Sequence, residues 1–191
     1  MKKIIYSLAA STFVLMGAAQ ADVVIKDATL SVNGVLKETT PSGCVVTLSK
    51  TSLNLTGNTS DGSIPDQGQD AKTFEPLKLV VKPQNSLTSG DTCMPQLMDG
   101  KIAFKVTGIG DEVEGTVLAN TLAGDSAAAG VGVGIYATDG SPIPLNSNVS
   151  LLDPKSNSGT AWIGLGLVKL KGKTITEGSI QSSLTVEVAH L

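Results

Sequence analysis

The chain is poor in the residues that carry most chemistry. It has one histidine, two cysteines, one tryptophan and an aromatic content of 3%. A single histidine, His190, leaves no multi-histidine zinc or copper set. One residue from the end of the chain, it is also badly placed for a Ser-His-Asp triad, whose imidazole must be held by a third group. Gly124-Asp125-Ser126 matches a nucleophile turn only as any glycine-rich run does. Gly130-x-Gly132-x-Gly134 lacks dinucleotide-loop spacing and falls in a predicted strand, where glycine admits a close neighbour. Asp61, Asp66 and Asp70 lack the calcium-loop pattern and read as a solvated acidic loop. No residue set supports catalysis, so the expectation is a protein that is not an enzyme and uses no cofactor or metal. Basic residues are scarce too: 14 Lys and Arg stand against 17 Asp and Glu. Without clustered positive charge there is no footprint for nucleic acid.

What is present begins with a leader. Lys2 and Lys3 precede an apolar stretch from Ile4 to Met16, too short to span a bilayer. Ala19-Gln20-Ala21 fits a small-x-small cleavage pattern, which makes residues 1–21 a signal peptide and Asp22 the first mature residue. No later stretch could cross a membrane as a helix, so the expectation is an exported protein with no membrane insertion. The mature chain carries 12 basic and 17 acidic residues, a net charge of −5, because two of the 14 basic residues lie in the leader. About 170 residues make one domain, or one domain with an arm. Cys44 and Cys93, an even pair in an exported chain, are expected to form a disulfide worth roughly 4 kcal/mol by chain entropy.

Glycine is abundant, at 21 residues. With Ser, Thr, Asn and Asp it separates short apolar runs, the composition of many strands joined by turns. Strands are expected at Val45–Leu48, Ser52–Leu55, Phe74–Lys82, Lys101–Thr107, Gly115–Leu118, Val131–Thr138, Ile143–Leu145 and Thr160–Lys171. Asp139-Gly140 marks a hairpin turn. Ala123–Gly130 reads as a loop, and no helix is expected. The spacing suggests an all-β sandwich, with Phe74, Phe104, Tyr136 and Trp162 at core positions.

The ends are the most informative part. In the closing strand, Ser179–Leu191, one row holds Ile180, Ser182, Leu184, Val186, Val188 and His190; Gln181, Ser183, Thr185 and Glu187 take the other. The opening run, Val23–Leu36, has its own alternation through Ala28, Leu30, Val32, Gly34 and Leu36, with a competing row of opposite parity through Val23 and Ile25. Strict alternation marks a strand with one buried face. An apolar edge strand is either an assembly device or a liability.

In order along the chain, a leader, Val32-Asn33-Gly34-Val35-Leu36, Cys44-Val45-Val46, Leu53-Asn54-Leu55-Thr56-Gly57, Cys93, the hairpin Gly132–Tyr136 to Asp139–Ile143, and Gly178-Ser179-Ile180-Gln181 running to Leu191 resemble the pilin subunits of chaperone–usher fimbriae of the type 1 group. The likeness spans nearly the whole mature chain. It departs at His190, where the family usually has tyrosine, and in a longer separation between the cysteines.

The resemblance implies an incomplete immunoglobulin-like sandwich lacking its last strand, with residues 22–36 as an N-terminal donor-strand arm and 37–191 as the pilin domain. The donor row would be Ala28, Leu30, Val32, Gly34 and Leu36; the groove wall would be the terminal strand, with Ile180, Leu184, Val186, Val188 and His190. The same opening segment can also be read as an ordinary first strand of its own domain. The implied partners are other pilin subunits of the fibre, a periplasmic fimbrial chaperone and an outer-membrane usher, and the implied location is the cell-surface fimbrium, reached through the periplasm. The implied function is a structural subunit, a major shaft pilin rather than a minor adaptor, polymerising by donor-strand exchange into a surface fibre that supports adhesion. The alternative is a self-contained secreted carbohydrate-binding β-sandwich module.

Overall fold

The computed structural model describes residues 43–59, 62–83, 93–151 and 159–191, together with the backbone of 24–34. The expected leader, residues 1–21, lies outside the described residues, as do Asp22, Val23, Leu36 and Asp61. The described strands are β1 (Val24–Gly34), β2 (Cys44–Leu48), β3 (Ser52–Asn58), β4 (Glu75–Pro83), β5 (Ile102–Gly108), β6 (Val131–Tyr136), β7 (Asn148–Val149), β8 (Gly159–Lys169) and β9 (Ile180–His190), with one short helix, α1 (Cys93–Met98). They form the two-sheet, all-β sandwich that the alternation predicts. One sheet runs β3-β1-β9-β5-β7 and the other β2-β4-β8-β6. Every ladder is antiparallel except that between β1 and β9.

The core forms where the two inner faces meet. Leu77, Leu79 and Val81 of β4, Ile163, Leu165 and Leu167 of β8, and Val131, Val133 and Ile135 of β6 meet Ile102, Phe104 and Val106 of β5 and Ile180, Leu184 and Val186 of β9. Side chains two residues apart share a face of a strand, so these runs place one apolar row inward from each. The outer face of the second sheet is not plainly solvated. There the alternate positions are glycines: a Cβ on Gly164 would lie 2.4 Å from the Phe74 ring, and one on Gly134 would lie 2.5 Å from the Tyr136 hydroxyl. The two rings lie over this shelf with centroids 6.3 Å apart. Burial there pushes the Tyr136 hydroxyl up to about 12.

The disulfide Cys44–Cys93 is formed, and both residues are fully buried. It ties the start of β2 to α1. This helix and the two-residue strand β7 are the elements of regular structure that the strand pattern does not predict. The helix's signals are short-range: Pro95 in the first turn, where a missing N–H costs nothing, and Gly100 with φ 68° just past the end, where Gly100 N donates to Leu97 O and Lys101 N to Gln96 O. Six residues show too little periodicity to outweigh a turn reading.

Four further expectations are corrected. Gly115–Leu118 is not a strand; only Leu118 bridges, to Val133 and Gly110, because the residues before it wrap around Asp111. Ile143–Leu145 pairs back only at its start, where Ile143 N donates to Ile135 O, while Leu145 N turns to Thr116 O. Trp162 is not in the core: it sits on the outer row of β8, 40% exposed, with the Lys78 ammonium 5.9 Å from its ring centroid. Phe74 is only half-buried, whereas Phe104 and Tyr136 are fully buried.

Candidate assembly surface

β9 is the strand on which the functional reading turns. Its inward row divides along its length. Ile180, Ser182, Leu184 and Val186 are buried, Val188 is half-buried, and His190 is exposed. Ser182 is a polar residue in an apolar row, and its hydroxyl is satisfied by donating to Ala119 O at 2.6 Å. His190 closes the ladder opposite Ile102, at the sandwich's end and outside its interior.

One edge of β9 is covered by parts of its own domain. β5 pairs with it from Leu184 to His190. Nearer its start, Asn120 takes over. The Asn120 amide donates to Ala128 O at 2.9 Å and Ser179 O at 3.1 Å, and its carbonyl oxygen accepts from Gln181 N and Leu122 N. Thr121 N donates to Gln181 O. One side chain thus continues, with loop backbone, the edge that β5 leaves at Gly108. Sequence reasoning missed Asn120; an asparagine in a turn-rich loop carries no signal that its partners lie 59 residues away.

The other edge of β9 is covered by β1. Ala28, Leu30, Val32 and Gly34 stand in register with Ile180, Ser182, Leu184 and Val186. On its far side β1 carries β3, with Ala28 opposite Leu55 and Leu30 opposite Leu53. β1 is therefore an interior strand of the first sheet, although it lies first in the chain, and it runs parallel to β9. It pairs no further along β9 than Val186.

A second cluster lies away from this edge, and nothing in the sequence pattern marked it. Asp111 is a buried carboxylate, 6% exposed. Its Oδ1 accepts from the N–H groups of Val113 and Glu114, and its Oδ2 from those of Thr116 and Val117 and from the Gln67 side-chain amide at 3.1 Å. Gln67 is itself buried; its Nε2 also donates to Thr116 Oγ1, and its Oε1 accepts from Lys171 N. Burial drives the Asp111 carboxyl upward, but the backbone donors Glu114, Val117 and Val113, with Gln67, outweigh it, and its pKa falls below 3.8. The cluster holds the 109–118 loop over the outer face of the second sheet, where Val117 packs with Val168 and Leu170. Ion pairs Lys171–Glu114 and Lys173–Glu112, both 2.8 Å, lie at its rim.

This is a structural knot, and it sets a pH dependence. A carboxyl held below its unfolded value of 3.8 contributes stability that is full above that pH and lost as the pH falls through the folded value. Asp111→Ala leaves buried donors unpaired and is expected to lower the unfolding free energy by about 3 kcal/mol. Urea unfolding from about pH 6 down to about pH 2.5 checks both points: the native protein should lose stability at the acid end, and Asp111→Asn should show a flatter profile.

The remaining sequence candidates are not brought together. Asp66 pairs with Lys169 at 3.4 Å, not with Asp70. Among the described residues, no three His, Cys, Asp or Glu side chains gather as a metal set. Ser126 lies in a turn whose carbonyl accepts from Ser179 N. No known family model matches the chain, and no curated protein shows significant similarity to it.

Proposed function

We propose that this protein is a non-enzymatic structural subunit of a chaperone–usher fimbria, joined head to tail to sister copies by exchange of its N-terminal strand. A single observation carries the reading: the strand nearest the N-terminus fills an interior place of the sheet, between β3 and β9. A strand so placed makes two ladders and, once the expected leader is removed, would connect to the rest of the domain only at its C-terminal end. It can be withdrawn and replaced by an equivalent strand without unthreading the sandwich. Backbone pairing then supplies affinity, and alternating apolar positions supply register. Because donor and acceptor surfaces differ, the contact is heterologous and propagates into a fibre.

In this reading the subunit is exported to the periplasm. A chaperone holds the slot open there, an outer-membrane usher receives the subunit, and the arm of the next subunit completes it. The single domain suits a shaft subunit better than a two-domain adhesin.

The test is capture. An arm-deleted copy lacking residues 22–36 is co-expressed in a bacterial periplasm with tagged intact copies. The reading expects purification through the tag to recover both in a complex that survives size exclusion. Recovery of intact copies alone overturns it.

A second reading, a secreted carbohydrate-binding module, draws support from Trp162, which presents part of its ring on an outer sheet face. Titration of tryptophan fluorescence with oligosaccharides separates the two: a saturable change supports sugar binding.

A further inference from the structure

β1 is not a regular strand. Against β3 its register runs Leu30 to Leu53, Thr29 to Asn54 and Ala28 to Leu55, and then resumes with Ile25 opposite Gly57 and Val24 opposite Asn58. Lys26 and Asp27 together stand against Thr56 alone. Two residues facing one is the count of a β-bulge, a device that re-aims a strand and fixes its register.

The bulge has a specific consequence here. The arm has two apolar rows of opposite parity, one through Ala28, Leu30, Val32 and Gly34 and one that includes Ile25. In a regular ladder continued from Ala28, Asp27 would meet Thr56, Lys26 would meet Gly57, and Ile25 would meet Asn58. That would set a lysine in the row shared by Leu53, Leu55 and Gly57. The extra residue moves Ile25 into that row instead. The acceptor strand is built to match. A Cβ on Gly57 would lie 2.9 Å from Ile64 Cγ1 and 3.0 Å from Leu167 Cδ1, so the position opposite Ile25 has no side chain and borders two apolar ones. β9 begins its pairing only at Ala28, so the segment ahead of the bulge is held by β3 alone.

We propose that the bulge at Lys26 and Asp27 is the register lock of the N-terminal arm, joining its two apolar rows into one row of register positions, Ile25, Ala28, Leu30, Val32 and Gly34, with Ile25 set against β3 alone and Ala28 to Gly34 alongside β9. That a sister subunit's slot receives this same row rests on the assembly reading above; the lock itself rests on the register alone. It makes recognition depend on residue count as well as composition. An arm with the same apolar residues and no bulge would offer its slot a lysine, and a one-residue slip sends every side chain to the opposite face.

Paired cysteines read the register directly. Val24→Cys with Asn58→Cys should cross-link on mild oxidation of the folded protein, while Ile25→Cys with Asn58→Cys, the partners of an unbulged ladder, should not. The reverse result overturns the proposal. Deletions supply a second readout. Removing Asp27 takes out the extra residue and leaves every pair on both sides intact, so the melting midpoint should move by less than about 2 °C. Removing Thr29, from the regular part, brings Asp27 opposite Leu55 and should lower the midpoint by about 10 °C or more. Equal damage from the two deletions would refute the lock. If the cross-links form as expected while the arm-deleted copy captures nothing, the assembly reading falls and the lock stands.

Discussion

Deleting residues 22–36 is expected to turn a folded, dispersed protein into an aggregating one. The reason lies in the strand order. β3 joins its sheet only through β1, and β9 meets β1 along one edge from Ile180 to Val186. Removing β1 therefore strips two ladders at once. It leaves β3 without a sheet neighbour and uncovers the inward row that includes Leu53, Leu55, Leu184 and Val186, all at most 5% exposed in the intact chain. Each such side chain is worth about 1.5–3 kcal/mol of burial. Losing several of them together with the ladders is comparable to the whole stability of a domain, about 5–15 kcal/mol. A bare, apolar edge then templates aggregation. Sedimentation and tryptophan fluorescence of the deleted protein check this, and a synthetic peptide of residues 22–36 added during refolding should restore a soluble, folded species. A deleted protein that stays folded and monomeric without peptide would show that β1 completes nothing.

Leu184→Asp is expected to be nearly as severe. Leu184 is fully buried at the middle of β9, opposite Val32 on one side and Gly108 on the other. A carboxylate there would face the inner row of the opposite sheet, with no cation among the buried residues that surround it. An unpaired buried charge costs more than typical core truncations, about 4 kcal/mol or above. Gln181→Asp, on the exposed row of the same strand, should cost less than about 0.5 kcal/mol. Urea unfolding and periplasmic yield of the two variants measure the contrast. Equal behaviour would contradict the assignment of rows along β9.

Much of the fold is legible in the chain because burial here follows parity. Ile180, Leu184 and Val186, or Ile163, Leu165 and Leu167, declare their inward face by alternation alone, and Asp139-Gly140 declares its turn, with Gly140 at φ 90°. What was not legible depends on long-range partners. Asp111 reads as one more acid in a polar loop until four backbone N–H groups and Gln67 are seen to converge on it. Trp162 reads as core by composition, yet β8 places it on the outer row while glycines take the positions beyond it. The two rows of the arm read as rival registers because parity cannot register an inserted residue; the pairing with β3 sets Ile25 opposite Gly57 and Ala28 opposite Leu55, with two residues between them against one. Nor does parity carry strand polarity, so the parallel run of β1 beside β9 had no trace in the residues. His190 follows the alternation of β9 but lies beyond the point where β1 pairs with it, so the row's pattern outruns its burial.

The most direct test locks the arm in its own slot. Ser31 and Ser183 are backbone partners across β1 and β9, and neighbouring strands lie within disulfide reach. In the double variant Ser31→Cys, Ser183→Cys, oxidation should bind the arm to its own sheet and hold the protein as a monomer under conditions in which, on the proposed reading, the unmodified protein forms fibres. Mild reduction should release it, since Cys44–Cys93 is fully buried and better protected. Monomers when oxidised and fibres when reduced, seen by electron microscopy of one preparation, are what the account predicts. Fibres formed equally well by the oxidised protein would contradict it.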